Sequence, residues 1–115
     1  MTKRQTFRRD EHIRRRRDFQ RVYATGARLH GRHMTVFLLP TDLPVARLGI
    51  AATRKIGGSV TRNLAKRLIR EVFRRNKPAP GTDLVVIPRA SLAASPIARI
   101  EADYRTTLAR HRPAG

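Results

Sequence analysis

Four basic side chains follow one another at intervals of four residues in the second half of the chain: Arg62, Lys66, Arg70 and Arg74. On a helix this spacing places them along one side, where each like-charged pair costs about 0.2–0.5 kcal/mol. Only Glu71 relieves the repulsion. Phosphate groups would offset the cost, because a Lys or Arg that neutralises a phosphate releases condensed counterions. The stripe therefore predicts contact with a nucleic-acid backbone, and the simpler alternative is a solvated helix face.

A short glycine-containing segment just before this stripe could also hold an anion. Gly57 and Gly58 let the backbone approach a ligand closely. The helix that follows them offers free N–H groups and the positive end of its dipole. A Gly-Gly pair also fits an ordinary turn, so it is the preceding Arg54 and Lys55 that favour a phosphate contact.

The charge balance of the whole chain also indicates a polyanionic partner. Its 115 residues include 26 Lys or Arg and 8 Asp or Glu, a formal charge of +18. A surface this basic repels itself unless a polyanion neutralises it. A membrane is the weaker option, because no run approaches the roughly 18 apolar residues of a spanning helix and no signal-peptide pattern opens the chain. We expect a nucleic-acid partner, no membrane and a cytoplasmic protein.

The sequence offers no candidate for protein-based catalysis or for a metal centre. Cysteine is absent, which excludes a thiol nucleophile, a disulfide and a cysteine zinc site. His30 and His33 are close in sequence, but no carboxylate lies beside them. The serines lack an evident base and the carboxylates are mostly isolated, so we predict no catalytic residue and no metal ligand.

The elements that must position the stripe begin after a basic amino-terminal run. Residues 1–17 are predicted to be a flexible arm, and residues 18–112 a single domain. The domain opens with a helix that begins at Asp18 and ends before Gly26. Its apolar face carries Phe19, Val22 and Tyr23.

Three apolar runs predict strands. Residues 32–39 and 45–53 are separated by a turn at 41–44 and should form an antiparallel hairpin. The third run, 84–87, is apolar throughout and should be buried on both faces of a sheet. Gly49 is one of several small residues on one face of the second run. Such a shallow face either lets a helix pack closely or leaves a groove for a ligand.

Two further helices complete the pattern. One runs from Val60 to Arg75, with Ser59 as its cap and with an apolar side, which includes Val60 and Leu64, opposite the basic stripe. The last begins with Ser95 as its cap and Pro96 as its first residue. The order helix, strand, strand, helix, strand, helix, with a possible short extra strand, indicates an α+β fold. We expect a two-layer sandwich of one sheet with helices against it.

The loop and the stripe together, residues 54–70 (RKIGGSVTRNLAKRLIR), resemble the signature of the bacterial ribonuclease P protein family. Further segments resemble the family's first helix, second strand and last strand, so the likeness extends in order over about residues 14–110. Two positions depart from the family pattern, because Leu64 stands where a basic residue is frequent and Ser59 where Ala is commoner.

The resemblance implies the protein subunit of a ribonucleoprotein endonuclease that removes the 5′ leader of precursor tRNA. The RNA subunit and its bound Mg²⁺ would perform the hydrolysis, the protein would supply binding, and no obligate protein partner is evident. The family also has a left-handed β-α-β crossover through the basic helix, contrary to the general rule. Its contacts to the RNA subunit map to Arg54, Lys55, Arg62, Asn63, Lys66, Arg67, Arg70 and Arg74.

The resemblance also implies a cleft between the first helix and the sheet that holds the single-stranded leader, lined by Arg17, Phe19, Tyr23 and Phe37. Base stacking on such rings is worth about 1–3 kcal/mol per base and tolerates any sequence. The spacing alone fits plain core, above all for Phe19. Two other functions stay open: a structural ribosomal protein, and a DNA-binding regulator, which would usually need a helix-turn-helix partner or a dimer.

Overall fold

The computed structural model describes residues 9–111 as three helices and one four-stranded sheet. Short 3₁₀ turns at Arg9–Glu11 and Arg54–Ile56 precede the first helix and the second helix. In chain order the elements are α1 (Arg16–Thr25), β1 (Ala27–His30), β2 (Met34–Pro40), β3 (Ala46–Ile50), α2 (Ser59–Arg75), β4 (Thr82–Pro88) and α3 (Ile97–Ala109). The α+β class is confirmed, and β1 is the short extra strand.

The strands are arranged in the order β1-β2-β4-β3, which differs from the expected hairpin. Strand β2 pairs antiparallel with β1 and β4, whereas β3 pairs in parallel with β4. The prediction that β2 and β3 are antiparallel neighbours was therefore wrong. The physical reason is the apolar β4, because a strand buried on both faces is most stable between two others. Gly81, at φ 81°, joins its start to the β2–β3 loop, accepting a hydrogen bond from the Thr41 N–H at 2.7 Å.

Helices cover both faces of the sheet, because strand side chains alternate between two separate clusters. Val36, Leu84 and their neighbours pack with α2 and α3 on one face. Phe37 and Val85 pack with α1 on the other face. The structure thus adds a third layer to the expected sandwich of sheet and helices.

The small residue at the centre of β3 allows α1 to lie close to the sheet. A Cβ atom placed on Gly49 would come within 2.8 Å of the Phe19 ring and 3.1 Å of the Ile13 Cβ atom. Of the two open alternatives for this shallow face, close packing of a helix is therefore what occurs at Gly49. Gly26 ends α1 in a similarly tight place, since a Cβ there would lie 2.5 Å from the Val22 carbonyl oxygen.

The folded part begins earlier than the expected boundary at residue 18. Ile13 is 5% exposed and its N–H donates to the Leu48 carbonyl at 2.9 Å. Glu11 is also buried and accepts a hydrogen bond from the Lys77 ammonium at 3.0 Å. Residues 9–17 are therefore not an arm, because they add an apolar anchor and an ion pair to the edge of the sheet. Residues 1–8 of the predicted arm lie outside the described part of the chain.

Two expected helix caps are also corrected. Ser59 is the first residue of α2 and not its cap. Gly58 occupies the N-cap position, so no side-chain hydrogen bond caps this helix. Pro96 rather than Ser95 occupies the N-cap position of α3, while the Ser95 hydroxyl donates to the Ser91 carbonyl. Helix α2 connects the adjacent parallel strands β3 and β4, as the family resemblance implies, and the left hand of this crossover stays a prediction.

Candidate RNA interface

Helix α2 presents its basic side chains outwards because a narrow apolar stripe holds its other side against the sheet. Ala65, Ile69, Val72 and Phe73 are all at most 1% exposed. The predicted RNA-subunit contacts lie on the accessible part of the helix and in the 3₁₀ turn before it. Arg54, Lys55, Asn63, Arg67 and Arg70 are exposed, and Arg62, Lys66 and Arg74 are half-buried.

The apolar stripe is narrower than the sequence indicated. Val60 is 81% exposed and Leu64 is 39% exposed, so the first turns of α2 are not covered by the core. The expectation that both residues belong to the buried side was wrong, because the core contacts of the helix begin only at Ala65. Val60 and Leu64 consequently lie at the accessible start of the basic helix.

Arg74 differs from the rest of the stripe because it is paired within the helix. Its Nε atom donates to Glu71 Oε2 at 3.1 Å and its Nη2 atom contacts Glu71 Oε1, which also accepts from Arg75 Nε at 3.0 Å. The hydrogen bond from Arg74 is the largest cause that lowers the pKa of the Glu71 carboxyl. Arg74 is thus partly neutralised, whereas Arg62, Lys66 and Arg70 have no carboxylate partner among the described residues.

A histidine that the sequence analysis set aside lies beside the stripe. His12 lines a shallow pocket together with Arg67, Arg70, Glu71 and Arg74. Burial lowers the pKa of His12, and the positive charges of Arg14 and Arg70 lower it further. The isolated bridge between His12 and Leu48 places it there, a contact across 36 residues that no local pattern reveals.

The three aromatic residues assigned to a leader cleft come together on the α1 face of the sheet. The ring centroids of Phe19 and Tyr23 are 6.3 Å apart, and those of Tyr23 and Phe37 are 5.0 Å apart in an edge-to-face arrangement. Tyr23 is 37% exposed, while Phe19 and Phe37 are half-buried against the α1-side core. Burial also raises the pKa of the Tyr23 hydroxyl.

Arg28 extends this aromatic group, although the sequence analysis did not single it out. It is the cross-strand partner of Phe37, and its guanidinium carbon lies 5.7 Å from the Phe37 ring centroid, within cation–π range. Arg28 was missed because β1 has only four residues and gives little alternating signal. Arg17, the remaining predicted member, is exposed in the first turn of α1.

An ion-pair network centred on the buried Asp83 holds α1 in place beside the aromatic group. The Asp83 carboxylate is fully buried and accepts from Arg47 Nε at 2.8 Å and Arg47 Nη2 at 2.6 Å. Arg47 Nη1 also lies 3.7 Å from Asp18, and Arg21 joins Asp18 at 3.3 Å. The hydrogen bond to Asp83 raises the pKa of Arg47. The network therefore links α1 to β3 and β4 through charges that sequence spacing alone could not pair.

Comparison with known proteins decides the family. The Ribonuclease P family model matches residues 7–112 of the chain. The chain belongs to the ribonuclease P protein family. Ribonuclease P protein components from Thermotoga maritima and Syntrophus aciditrophicus are 42% and 41% identical over 91 residues, covering 77% of this chain and 78% and 76% of theirs.

Solved structures of the family have the same fold. The ribonuclease P protein of Thermotoga maritima superposes with a TM-score of 0.79 at 34% identity, covering 90% of this chain and 99% of its own. The Staphylococcus aureus protein gives a TM-score of 0.77 at 30% identity, covering 86% and 93%. Membership confirms the resemblance stated from residues 54–70 and implies an RNA partner. The individual RNA contacts stay predictions.

Between residues 9 and 111 no group of three or more His, Cys, Asp or Glu side chains is placed to hold a metal ion. No helix in that range is long and apolar enough to cross a membrane. His30 ends β1, and His33 lies in the following turn with its Nδ1 atom 2.8 Å from the Ser91 hydroxyl.

Proposed function

We propose that the chain is the subunit of ribonuclease P that binds both the catalytic RNA subunit and the 5′ leader of precursor tRNA in the cytoplasm. The observation that carries the proposal is the presence of two chemically different surfaces on opposite faces of one sheet. Helix α2 packs on one face and offers basic side chains, whereas α1 packs on the other and offers aromatic rings. Two surfaces allow two RNA segments to be bound at the same time.

The basic surface suits the folded RNA subunit. Phosphates of a compact RNA lie close together, and Lys and Arg side chains one helical turn apart can contact several of them. Arginine adds forked, two-hydrogen-bond contacts to phosphate oxygens. The surface comprises the eight residues assigned above, with Arg74 contributing least because Glu71 already neutralises part of its charge.

The aromatic surface suits an unpaired leader. Tyr23 is partly exposed and its ring lies next to Phe37, and Arg28 adds a positive charge beside the Phe37 ring that can meet a backbone phosphate. Stacking on aromatic rings does not depend on base identity. A leader of variable sequence can therefore be bound without a sequence code.

The hydrolysis itself is assigned to the RNA. We propose that Mg²⁺ is bound mainly by the RNA subunit, as the family resemblance implies. The residues between 9 and 111 include no cluster of carboxylates or histidines that fits a protein-held Mg²⁺ site. On the RNA subunit, Mg²⁺ would activate the attacking water and stabilise charge on the leaving oxygen. The protein's residues neutralise phosphates and orient the substrate, and the proposal requires no further protein partner.

The test is cleavage of precursor tRNA by a bacterial ribonuclease P RNA at limiting Mg²⁺, with and without this protein. We expect faster cleavage when the protein is present, and tighter binding of precursor than of mature tRNA. A protein that binds the RNA yet leaves cleavage and precursor binding unchanged would instead be a structural RNA-binding protein.

A further inference from the structure

A second group of arginines lies outside both surfaces described so far. Arg32 lies in the β1–β2 turn. Arg99 lies in α3, and Arg110 is the C-cap residue of that helix. Together with His33 and Asp103 they line an open pocket between the turn and the helix. We infer that this pocket, the turn pocket, is an additional phosphate-binding site for the RNA subunit, an inference that rests on the proposed function.

The single carboxylate in the turn pocket is already used by the backbone. Asp103 Oδ1 accepts from the Arg32 N–H and Oδ2 from the His33 N–H, both at 2.8 Å. Three guanidinium groups thus face one carboxylate whose oxygens are bound elsewhere. The pocket keeps an excess of positive charge that a phosphate can neutralise.

Two of the three guanidinium groups are available to a ligand. The side chains of Arg32 and Arg99 are exposed and have no hydrogen-bond or ion-pair partner among residues 9–111. Arg110 Nη1 donates to the His30 carbonyl at 2.6 Å, which fixes this guanidinium at the edge of the pocket. One arginine is therefore held by the fold, and two have all their donors free.

The shape of the pocket depends on close contact between the turn and α3. A Cβ atom on Gly31 would lie 2.4 Å from the Thr107 Oγ1 atom and 2.9 Å from Asp103 Oδ2. The turn is also closed on itself by the hydrogen bond from the Gly31 N–H to the Met34 carbonyl at 2.8 Å. The turn pocket is therefore built by packing, and its arginines are not scattered on a flexible loop.

The position of the pocket favours the RNA subunit over the leader. Helix α3 packs on the sheet face opposite α1, so the pocket and the aromatic group belong to different faces. The β1–β2 turn lies at the end of the sheet where Met34 pairs with Pro88. At this end the Ala51 N–H also donates to the Val86 carbonyl. The turn pocket, Arg89 after β4 and the segment leading to Arg54 and Lys55 consequently share one end of the molecule.

This arrangement predicts a continuous basic path from the start of α2 to the turn pocket. Basic residues from separate segments reach the same end of the sheet, although they are far apart in sequence. An RNA that contacts the basic face of α2 can continue along this end, and its phosphates then meet the free guanidinium groups of Arg32 and Arg99.

The test compares two double variants that remove the same charge. Arg32→Gln with Arg99→Gln removes the free guanidinium groups of the turn pocket. Arg75→Gln with Arg105→Gln is the control, because both arginines are exposed but bonded to the protein, to Glu71 and Asn76 respectively. Neither pair includes a residue that we assign to the two RNA surfaces. Thermal unfolding first establishes that all three proteins are folded.

Affinity for a bacterial ribonuclease P RNA is then measured between 0.1 and 1 M salt. For two lost phosphate contacts we expect the slope of log affinity against log salt to fall by about 1.4–1.8, which corresponds to about 25- to 60-fold weaker binding at 0.1 M. The control variant should match the wild type, and the preference for precursor over mature tRNA should be unchanged in both.

Three outcomes would overturn the inference: an unchanged slope in the folded Arg32/Arg99 variant, an equal loss in the control, or a loss confined to the precursor preference. The first leaves the proposed function intact if the wild-type protein still accelerates cleavage. Failure of the wild type to bind the RNA subunit would instead remove the proposed function and this site together.

Discussion

Removing the Tyr23 ring should separate leader binding from folding. Tyr23 is the most accessible of the three aromatic residues, and its ring lies next to the rings of Phe19 and Phe37. Phe19, by contrast, lies against Gly49 and belongs to the packing around Ile13 and Val85. The change Tyr23→Ala therefore removes a surface ring, and Phe19→Ala removes part of a core.

The two substitutions should differ in size as well as in kind. Aromatic contacts are worth about 0.5–1.5 kcal/mol each beyond the buried area, so the two ring contacts of the partly exposed Tyr23 should contribute about 1–3 kcal/mol to the free energy of unfolding. Truncating Phe19 should cost more, up to the range of about 3–5 kcal/mol usual for a fully buried Phe, because its half-buried ring packs against Gly49. If a leader base stacks on Tyr23, losing that stack should cost about 1–3 kcal/mol of precursor binding, or about 5- to 150-fold.

The assay measures three quantities for each variant: urea unfolding, affinity for the RNA subunit, and the ratio of precursor to mature tRNA affinity of the assembled enzyme. Tyr23→Phe is the matched control, because it keeps the ring and should keep the ratio. We expect Tyr23→Ala to lower the ratio while RNA-subunit affinity hardly changes. A folded Tyr23→Ala protein with the wild-type ratio would refute the assignment of this ring to the leader cleft.

Three further variants test the basic helix, the helix–sheet contact and the histidine beside the stripe. The triple change Arg62→Ala, Lys66→Ala and Arg70→Ala removes three unpaired charges of α2 and should leave the fold intact. The slope of log affinity against log salt for RNA-subunit binding should fall by about 0.7–0.9 per lost phosphate contact. An unchanged slope would show that α2 does not contact the RNA subunit. Gly49→Ala should cost about 1–3 kcal/mol of stability, because its Cβ would overlap the Phe19 ring; an unchanged urea midpoint would contradict this. His12 has a lowered pKa in the folded state, so its contribution to stability is present above pH 6.5 and is lost as the pH falls through the folded pKa. In His12→Gln, urea unfolding across pH 5–8 should lose that part of the pH dependence, and identical profiles would show that burial of His12 is not coupled to folding.

Local patterns were enough to predict the basic helix and the α+β class. Helix α2 begins and ends within one residue of the predicted bounds, because its period, glycines and charges all agree over 17 residues. The pairing of the strands could not be read in this way. A turn signal at 41–44 indicates that the chain reverses direction, but it does not exclude a later strand from occupying the place between the two.

The parts of the site that the sequence did not reveal depend on contacts between distant residues. The Arg47–Asp83 pair joins residues 36 positions apart, and the packing of Phe19 against Gly49 depends on the placement of α1. Arg28 and the turn pocket were missed because short strands and turns carry weak periodicity. Val60 and Leu64 are exposed although they follow the apolar period of α2, because a regular apolar period does not specify how far the core extends along the helix.

The late position of β4 in the chain determines when the protein can fold during its synthesis. Within residues 9–111 the strand that pairs with β3 is β4, which follows only after the 17 residues of α2 and a further loop. Until residues 82–88 leave the ribosome, the sheet lacks its central strand and the apolar side of α2 has only part of its packing surface. Closure over this separation is slow compared with the formation of a local hairpin. The nascent chain therefore exposes its arginines to ribosomal and messenger RNA before the domain closes, an interval in which premature RNA contacts compete with folding.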